Sequence, residues 1–188
     1  MADPVRRGGR GRLPDGAQLT WSLAEGGRGR RWRASRVRDG RLEGTLLLEI
    51  DGAGRPARLE LGAADGLLTL HPDHDERELH GNVVTPGGVR HLRFDWSPAH
   101  ELVVDGFPVV LLAAARRLAA IIPAGETAER VAIVVDRGLR CHAVTIRIVR
   151  LDDRRWRAEG EGSAVGVAID ADGAPAGLDD AEEWPLEA

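Results

Sequence analysis

Lysine and tyrosine are missing from this 188-residue chain, and cysteine occurs once. All 26 basic residues are therefore arginines. Without lysine there is no Walker A phosphate loop, no Schiff-base nucleophile and no lysine–carboxylate catalytic pair, and those enzyme classes drop out. The lone thiol, Cys141, rules out an intrachain disulfide and any multi-cysteine zinc or iron–sulfur site. A single thiol also fits a reducing compartment. Long apolar runs are absent: no window approaches the roughly 18 apolar residues that span a bilayer. Met1–Gly16 offers no apolar h-region of a signal peptide. A soluble cytoplasmic protein is the expectation. The net charge of −4 gives no support to bulk attraction of nucleic acid. Abundant Ala, Gly, Arg, Leu and Val match the codon usage of a GC-rich genome, which discounts arginine richness as a functional signal.

Apolar alternation is what the chain does have. Leu46 and Leu48 precede the turn Asp51-Gly52-Ala53-Gly54, and Leu59 and Leu61 follow it. Folding the hairpin there puts the four leucines on one face and Thr45, Glu49, Arg58 and Glu60 on the other. Period two with glycine punctuation indicates an antiparallel sheet buried on one side. Further strands are predicted at Gln18–Leu23, Arg30–Arg38, Gly66–His71, 78–84 paired with 89–96, Glu101–Val104, Glu129–Val135, Leu139–Leu151, Trp156–Gly160 and Ala164–Asp170. Pro108 opens one helix, Val109 to about Ile122, stopped by Pro-Ala-Gly at 123–125. The expected fold is mainly β (α+β): a curled antiparallel sheet, open barrel or spiral β-roll, with the helix plugging or capping one end. With 43% hydrophobic residues the length suits one domain, 17–188. It follows a disordered Arg/Gly-rich tail over 1–16.

Charge is unevenly spread. Residues 1–41 hold eleven arginines against four acids, whereas 170–188 hold seven acids and no base. Solvated ends account for this, as charge runs usually are solvated, and a tail drawn to anionic partners is the alternative.

Pairing Val84 with Val89 across the loop 85–88 sets Asn82 opposite His91 and His80 opposite Arg93. These four polar residues share a face; inside a barrel they would orient a ligand head group, and outside they would be an ordinary wet surface. His71, Asp73, His74, Asp75, Glu76 and His80 have the residue types of a metal site, but His71 and His74 straddle Pro72 in a turn, so no metal is expected. Asp170-Ala171-Asp172-Gly173 begins like a calcium loop, yet Ala181 stands where the twelfth-position glutamate belongs, and a turn is the better reading. Cys141 and His142 are strand neighbours facing opposite ways, which defeats a thiolate–imidazole pair. None of Ser22, Ser35, Ser97 and Ser163 lies in a Gly-x-Ser-x-Gly elbow. The five tryptophans are expected as core or rim anchors with their indole N–H groups satisfied. Trp32 among Arg30, Arg31 and Arg33 would otherwise be a base-stacking stripe.

The order of features resembles the bacterial glycolipid-binding proteins. The resemblance runs from Trp21 through Trp96, Asp105-Gly106, Ala114 with Arg116-Arg117-Leu118 and Gly125-Glu126 to Ile169-Asp170-Ala171-Asp172-Gly173, across most of 19–178. It implies a spiral β-roll shaped like periplasmic lipoprotein carriers. Where that family has Thr-Pro-x-Thr-Asn before Arg-Arg-Leu, this chain has Val109–Ala115, so no ligand residues carry over. The expected function is non-catalytic binding of a lipid-like or amphipathic small molecule, with no cofactor. Its apolar part would lie between the leucine face and the helix, and His80, Asn82, His91 and Arg93 would hold its head group. A protein–protein interaction module or homodimer is the alternative; a hydrolase or isomerase built on convergent histidines is the third.

Overall fold

The computed structural model describes residues 5–160, 163–171, 173, 175 and 186–187. The first eight strands run as a meander: β1 (Val5–Arg12), β2 (Gln18–Gly26), β3 (Gly29–Arg38), β4 (Arg41–Ile50), β5 (Pro56–Ala63), β6 (Gly66–Pro72), β7 (Glu78–Thr85) and β8 (Gly88–Asp95). After β9 (Glu101–Val104) comes α1 (Val109–Leu118), then β10 (Thr127–Val135), β11 (Cys141–Arg150), β12 (Arg155–Gly160), β13 (Ser163–Ala168) and β14 (Leu186–Glu187). Sheet A has the order β14-β1-β2-β3-β4-β5-β6-β7-β8; sheet B, β13-β12-β11-β10-β9, is curled. The fold is thus mostly β with one helix among the described residues.

The leucine hairpin has the expected register, Leu46 opposite Leu61 and Leu48 opposite Leu59. All four side chains are 3% exposed or less. Burying each contributes about 1.5–3 kcal/mol of transfer free energy, which is why alternation set the register: a slip by one residue would turn the whole face to water. Not every pair is antiparallel, however. β9 and β10 lie parallel, with Leu102 opposite Ile133, because α1 intervenes as a crossover.

Seven of the ten residues of α1 are buried, so of the two placements expected, plug or cap, it is enclosed between layers as a plug. Its last turn carries Arg116 and Arg117, favourable at the negative end of the helix dipole. Arg150 donates to the Ala119 and Ile122 carbonyls at 3.1 and 2.9 Å, satisfying acceptors beyond that end. No described helix is long and apolar enough to cross a membrane.

Of the stretch 1–16, expected as a disordered tail, the described residues 5–16 instead supply β1 and the turn into β2. A ladder of backbone hydrogen bonds needs no apolar side chains, and Gly9 and Gly11 sit opposite Trp21 and Leu19. Asp15 in that turn pairs with Arg36 and Arg38. Arg36, only 1% exposed on the core side of β3, also donates to Glu43 at 2.7 Å. The tryptophan expectation needs correcting too. Trp21, Trp32 and Trp156 are buried, but their indole N–H groups have no protein acceptor. Trp32 is fully enclosed against Trp21, ring centroids 6.0 Å apart, which removes it as a stacking platform. Trp184 lies outside the described residues.

Candidate functional site

The quartet singled out from sequence is assembled as its register required. Asn82 lies opposite His91 and His80 opposite Arg93, and the His91 ring nitrogen Nδ1 is 2.6 Å from Asn82 Oδ1. Leu79, Val83 and Leu92 of the same hairpin are buried, so the quartet faces outward from sheet A, away from the leucine face. Glu78 joins it, with His80 Nε2 at 3.0 Å and Arg93 in contact. Asp73, Glu78 and His80 bring potential metal-ligating atoms within 4.8 Å of one another. Asp73, however, accepts from the backbone N–H groups of Arg77 and Glu78, and Glu78 is engaged by Arg93 and His80. The group is satisfied without an ion. His71 stacks loosely on His80, ring centroids 6.4 Å apart, while His74 stays exposed in its turn.

A larger concavity lies elsewhere. The β2–β3 turn, the β4–β5 turn and the second half of α1 enclose a cleft of about 360 Å³. Gly26, Gly27 and Gly29 form one wall and Asp51-Gly52-Ala53-Gly54 another; Ala113, Arg116 and Arg117 complete it, with Glu25 and Arg30 at the rim. Local chemistry explains the walls. Asp51 accepts from the backbone of Ala53 and Arg55 at 2.9 Å each, which closes the β4–β5 turn. Gly54 has φ +82°, and a Cβ there would press on Arg117. At Gly29, φ +124°, a Cβ would run into the Ile50 carbonyl oxygen.

Two guanidinium groups meet here, and the stem of a third arginine lines the wall. Arg30 and Arg116 both reach Glu25, at 3.3 and 3.2 Å, so two cations share one carboxylate. Arg117 turns inward and donates through one terminal nitrogen to both oxygens of Glu101, at 2.7 and 2.5 Å. Glu101 is 3% exposed. Desolvation pushes its carboxyl above the usual range, against the charge and hydrogen bonds of Arg117 and the charge of Arg130. Beneath the cleft, sharing Gly54, is a void of only about 10 Å³ lined by Glu101 together with Leu48, Ile50, Leu102, Val110 and Ala114. The space between leucine face and helix is therefore almost filled. Sheet B has its own concavity of about 150 Å³, walled by Val103, Val134, Val144, Ile146, Ala158 and Val165.

The sequence reading missed the cleft. Two glycine-rich hairpin ends and Arg116-Arg117 at a helix terminus were visible signals, but residues 25 and 116 meet only through tertiary packing. Cys141 and His142 do point to opposite sides of β11, and burial pushes the thiol up to about 11. Asp172 of the calcium-like turn lies outside the described residues.

Fold and site together define a class: a β-roll of two sheets around one enclosed helix, with an arginine-lined cleft where the helix meets two hairpin ends. Among solved structures, a DUF1089 family protein from Pseudomonas aeruginosa is similar, with a TM-score of 0.47, 17% identity, and coverage of 93% of this chain and 88% of that one. No protein-family model matches the chain, and no curated protein does so significantly.

Proposed function

We propose that the chain binds, without transforming it, a lipid-like or amphipathic small molecule whose anionic head group sits in the arginine cleft, in keeping with the glycolipid-binding resemblance. The observation supporting this is the cleft itself: about 360 Å³, within the usual range for small-molecule sites, with Arg30 and Arg116 facing backbone-rich glycine turns. Glu25 neutralises one of the two rim cations and leaves the other for a phosphate, sulfate or carboxylate. The space beneath is almost filled, so the apolar part would need Val110 and Ala114 to move apart from the leucine face before it could enter. The reading places the protein in the cytoplasm, in line with its unpaired thiol.

Native mass spectrometry after incubation with a total lipid extract tests the reading. A retained anionic species should be lost in Arg30→Ala and Arg116→Ala. Val110→Ala, which enlarges the void, should favour longer chains. Retention of nothing overturns the reading. Loss of the ligand in His91→Ala, with the cleft variants unaffected, would give the head group to the quartet instead. Loss only in Ile146→Arg would move the site to sheet B.

One observation favours a second reading, a homodimer. Leu67, Val84 and Val89 lie side by side across β6, β7 and β8, exposed by 43%, 45% and 58%, beside the β8 edge of sheet A. Light scattering should show a dimer that Val89→Asp dissociates; a monomer at all concentrations removes the idea.

A further inference from the structure

The concavity of sheet B is built by register. Val103 of β9 lies opposite Val134 of β10, Ala132 of β10 opposite Val144 of β11, and Ala158 of β12 opposite both Ile148 of β11 and Val165 of β13. Paired residues share a face and alternate residues repeat it. Val103, Val134, Val144, Ile146, Ala158 and Val165 therefore stand on one side of the curled sheet, around a space of about 150 Å³. Gly160 helps keep that space open, because a Cβ there would come within 2.9 Å of the Ile146 side chain. Arg130 belongs to the same face, directly opposite Ile146. Opposed Cβ atoms are about 5 Å apart, so a guanidinium on its stem reaches the margin of the trough. Its Nε is buried and has no hydrogen-bond partner. Glu101, which shares this face through its pairing with Ala132, is already held through both oxygens by Arg117. Two cations thus act on one buried carboxylate, which leaves one positive charge over beside aliphatic walls.

From this we infer that the trough of sheet B is a second ligand site, for a small apolar monocarboxylate whose ring or short chain lies against the aliphatic walls and whose carboxylate pairs with Arg130. An apolar space of about 150 Å³ accommodates a group the size of benzene. The walls supply shape without a polar anchor, and the guanidinium supplies the anchor, its planar donor fork matching a carboxylate. An amine would meet the surplus positive charge, and a plain hydrocarbon would leave Nε unpaired. Size and chemistry separate this site from the arginine cleft, which is larger and walled by polar glycine turns. The inference does not depend on what the cleft holds.

Titrating benzoate into the intact, isotopically labelled chain and following backbone amide shifts by NMR tests the inference. The amides of Val103, Val134, Val144 and Ile146 should move saturably, and those of Gly26 and Gly52 in the cleft should stay. Benzamide has the same shape without the charge and should bind about tenfold more weakly, since a hydrogen bond to a charged group is worth about tenfold or more. Arg130→Gln should erase that preference. Val144→Phe, which fills the trough from a half-buried position, should abolish binding. Arg147→Gln, on the opposite face of β11 and paired with Glu159, should bind like the parent. Circular dichroism checks the fold of each variant, and the comparison of benzoate with benzamide on the parent stands whether or not a variant folds. The proposal is overturned by the absence of saturable shifts in sheet B, by benzamide binding as tightly as benzoate, or by a folded Arg130→Gln that keeps the preference. Benzoate shifting only the cleft amides would also overturn it while supporting an anion site in the cleft. Failure of the cleft to retain a lipid would leave it intact.

Discussion

Removing the Arg117 guanidinium strands Glu101, and the cost should depend on pH in a defined direction. In the native chain the 3%-exposed carboxylate is held by two hydrogen bonds from a guanidinium that is itself 15% exposed. Breaking a buried pair from one side costs about 3–5 kcal/mol, because the remaining charge keeps its desolvation penalty. Arg117→Ala should lose that much at pH 8, a fall in Tm of roughly 10 °C for a chain of this size. Glu101 has a raised pKa in the folded state. Its contribution is thus full below the unfolded value and is lost as pH rises through the folded value. Without Arg117 the folded value moves higher, so the deficit should shrink as pH falls and Glu101 takes a proton. The paired replacement Glu101→Leu/Arg117→Met removes both charges and should come within about 1 kcal/mol of the parent. Urea unfolding followed by the fluorescence of buried Trp21, Trp32 and Trp156 measures all three proteins across a pH series from pH 8 downward. A deficit below about 1 kcal/mol at pH 8, or a deficit that does not shrink as pH falls, would refute the idea that Arg117 compensates a buried Glu101 charge.

Three other outcomes are expected. Asp15, Asp136 and Asp152 are each desolvated, yet arginine and backbone hydrogen bonds bring them below the usual carboxylate range. Their stabilisation should be present above the unfolded value and fade as pH falls through the folded values, visible as a falling urea midpoint between about pH 4 and pH 2. Leu59→Ala, at a fully buried position, should cost about 2–5 kcal/mol of unfolding free energy, whereas Thr45→Ala on the opposite face of the same hairpin should stay within about 0.5 kcal/mol. Cys141, its thiol pushed up to about 11 by burial, should react with a disulfide reagent at pH 8 far more slowly than in urea, and equal rates would contradict that environment.

The strands, their order and the register of two hairpins could be read from residues 42–96 alone. Period-two alternation couples each side chain to one face, and glycine-rich turns anchor the count, so local information suffices for Leu46–Leu61 and for Asn82–His91. It failed for β1, whose Gly-Arg composition carries no alternation and whose strand is held by backbone pairing with β2. It also left the helix as either a plug or a cap. Whether a mostly apolar helix ends a roll or fills it depends on layers far away in the chain, and here both sides are covered. Orientation of the histidine quartet was likewise decided by which face of sheet A received the core.

The amino-acid order by itself determined an antiparallel-rich β architecture with one helix, because hydrophobic period and turn chemistry act within a few residues. It also removed lysine-dependent and multi-cysteine chemistry outright. Tertiary structure alone decided where charge gathers. The approach of Glu25 to Arg116 and of Glu101 to Arg117 comes from chain segments brought together by packing. Coulomb interactions depend on distance through space, and no local pattern in the chain encodes that distance.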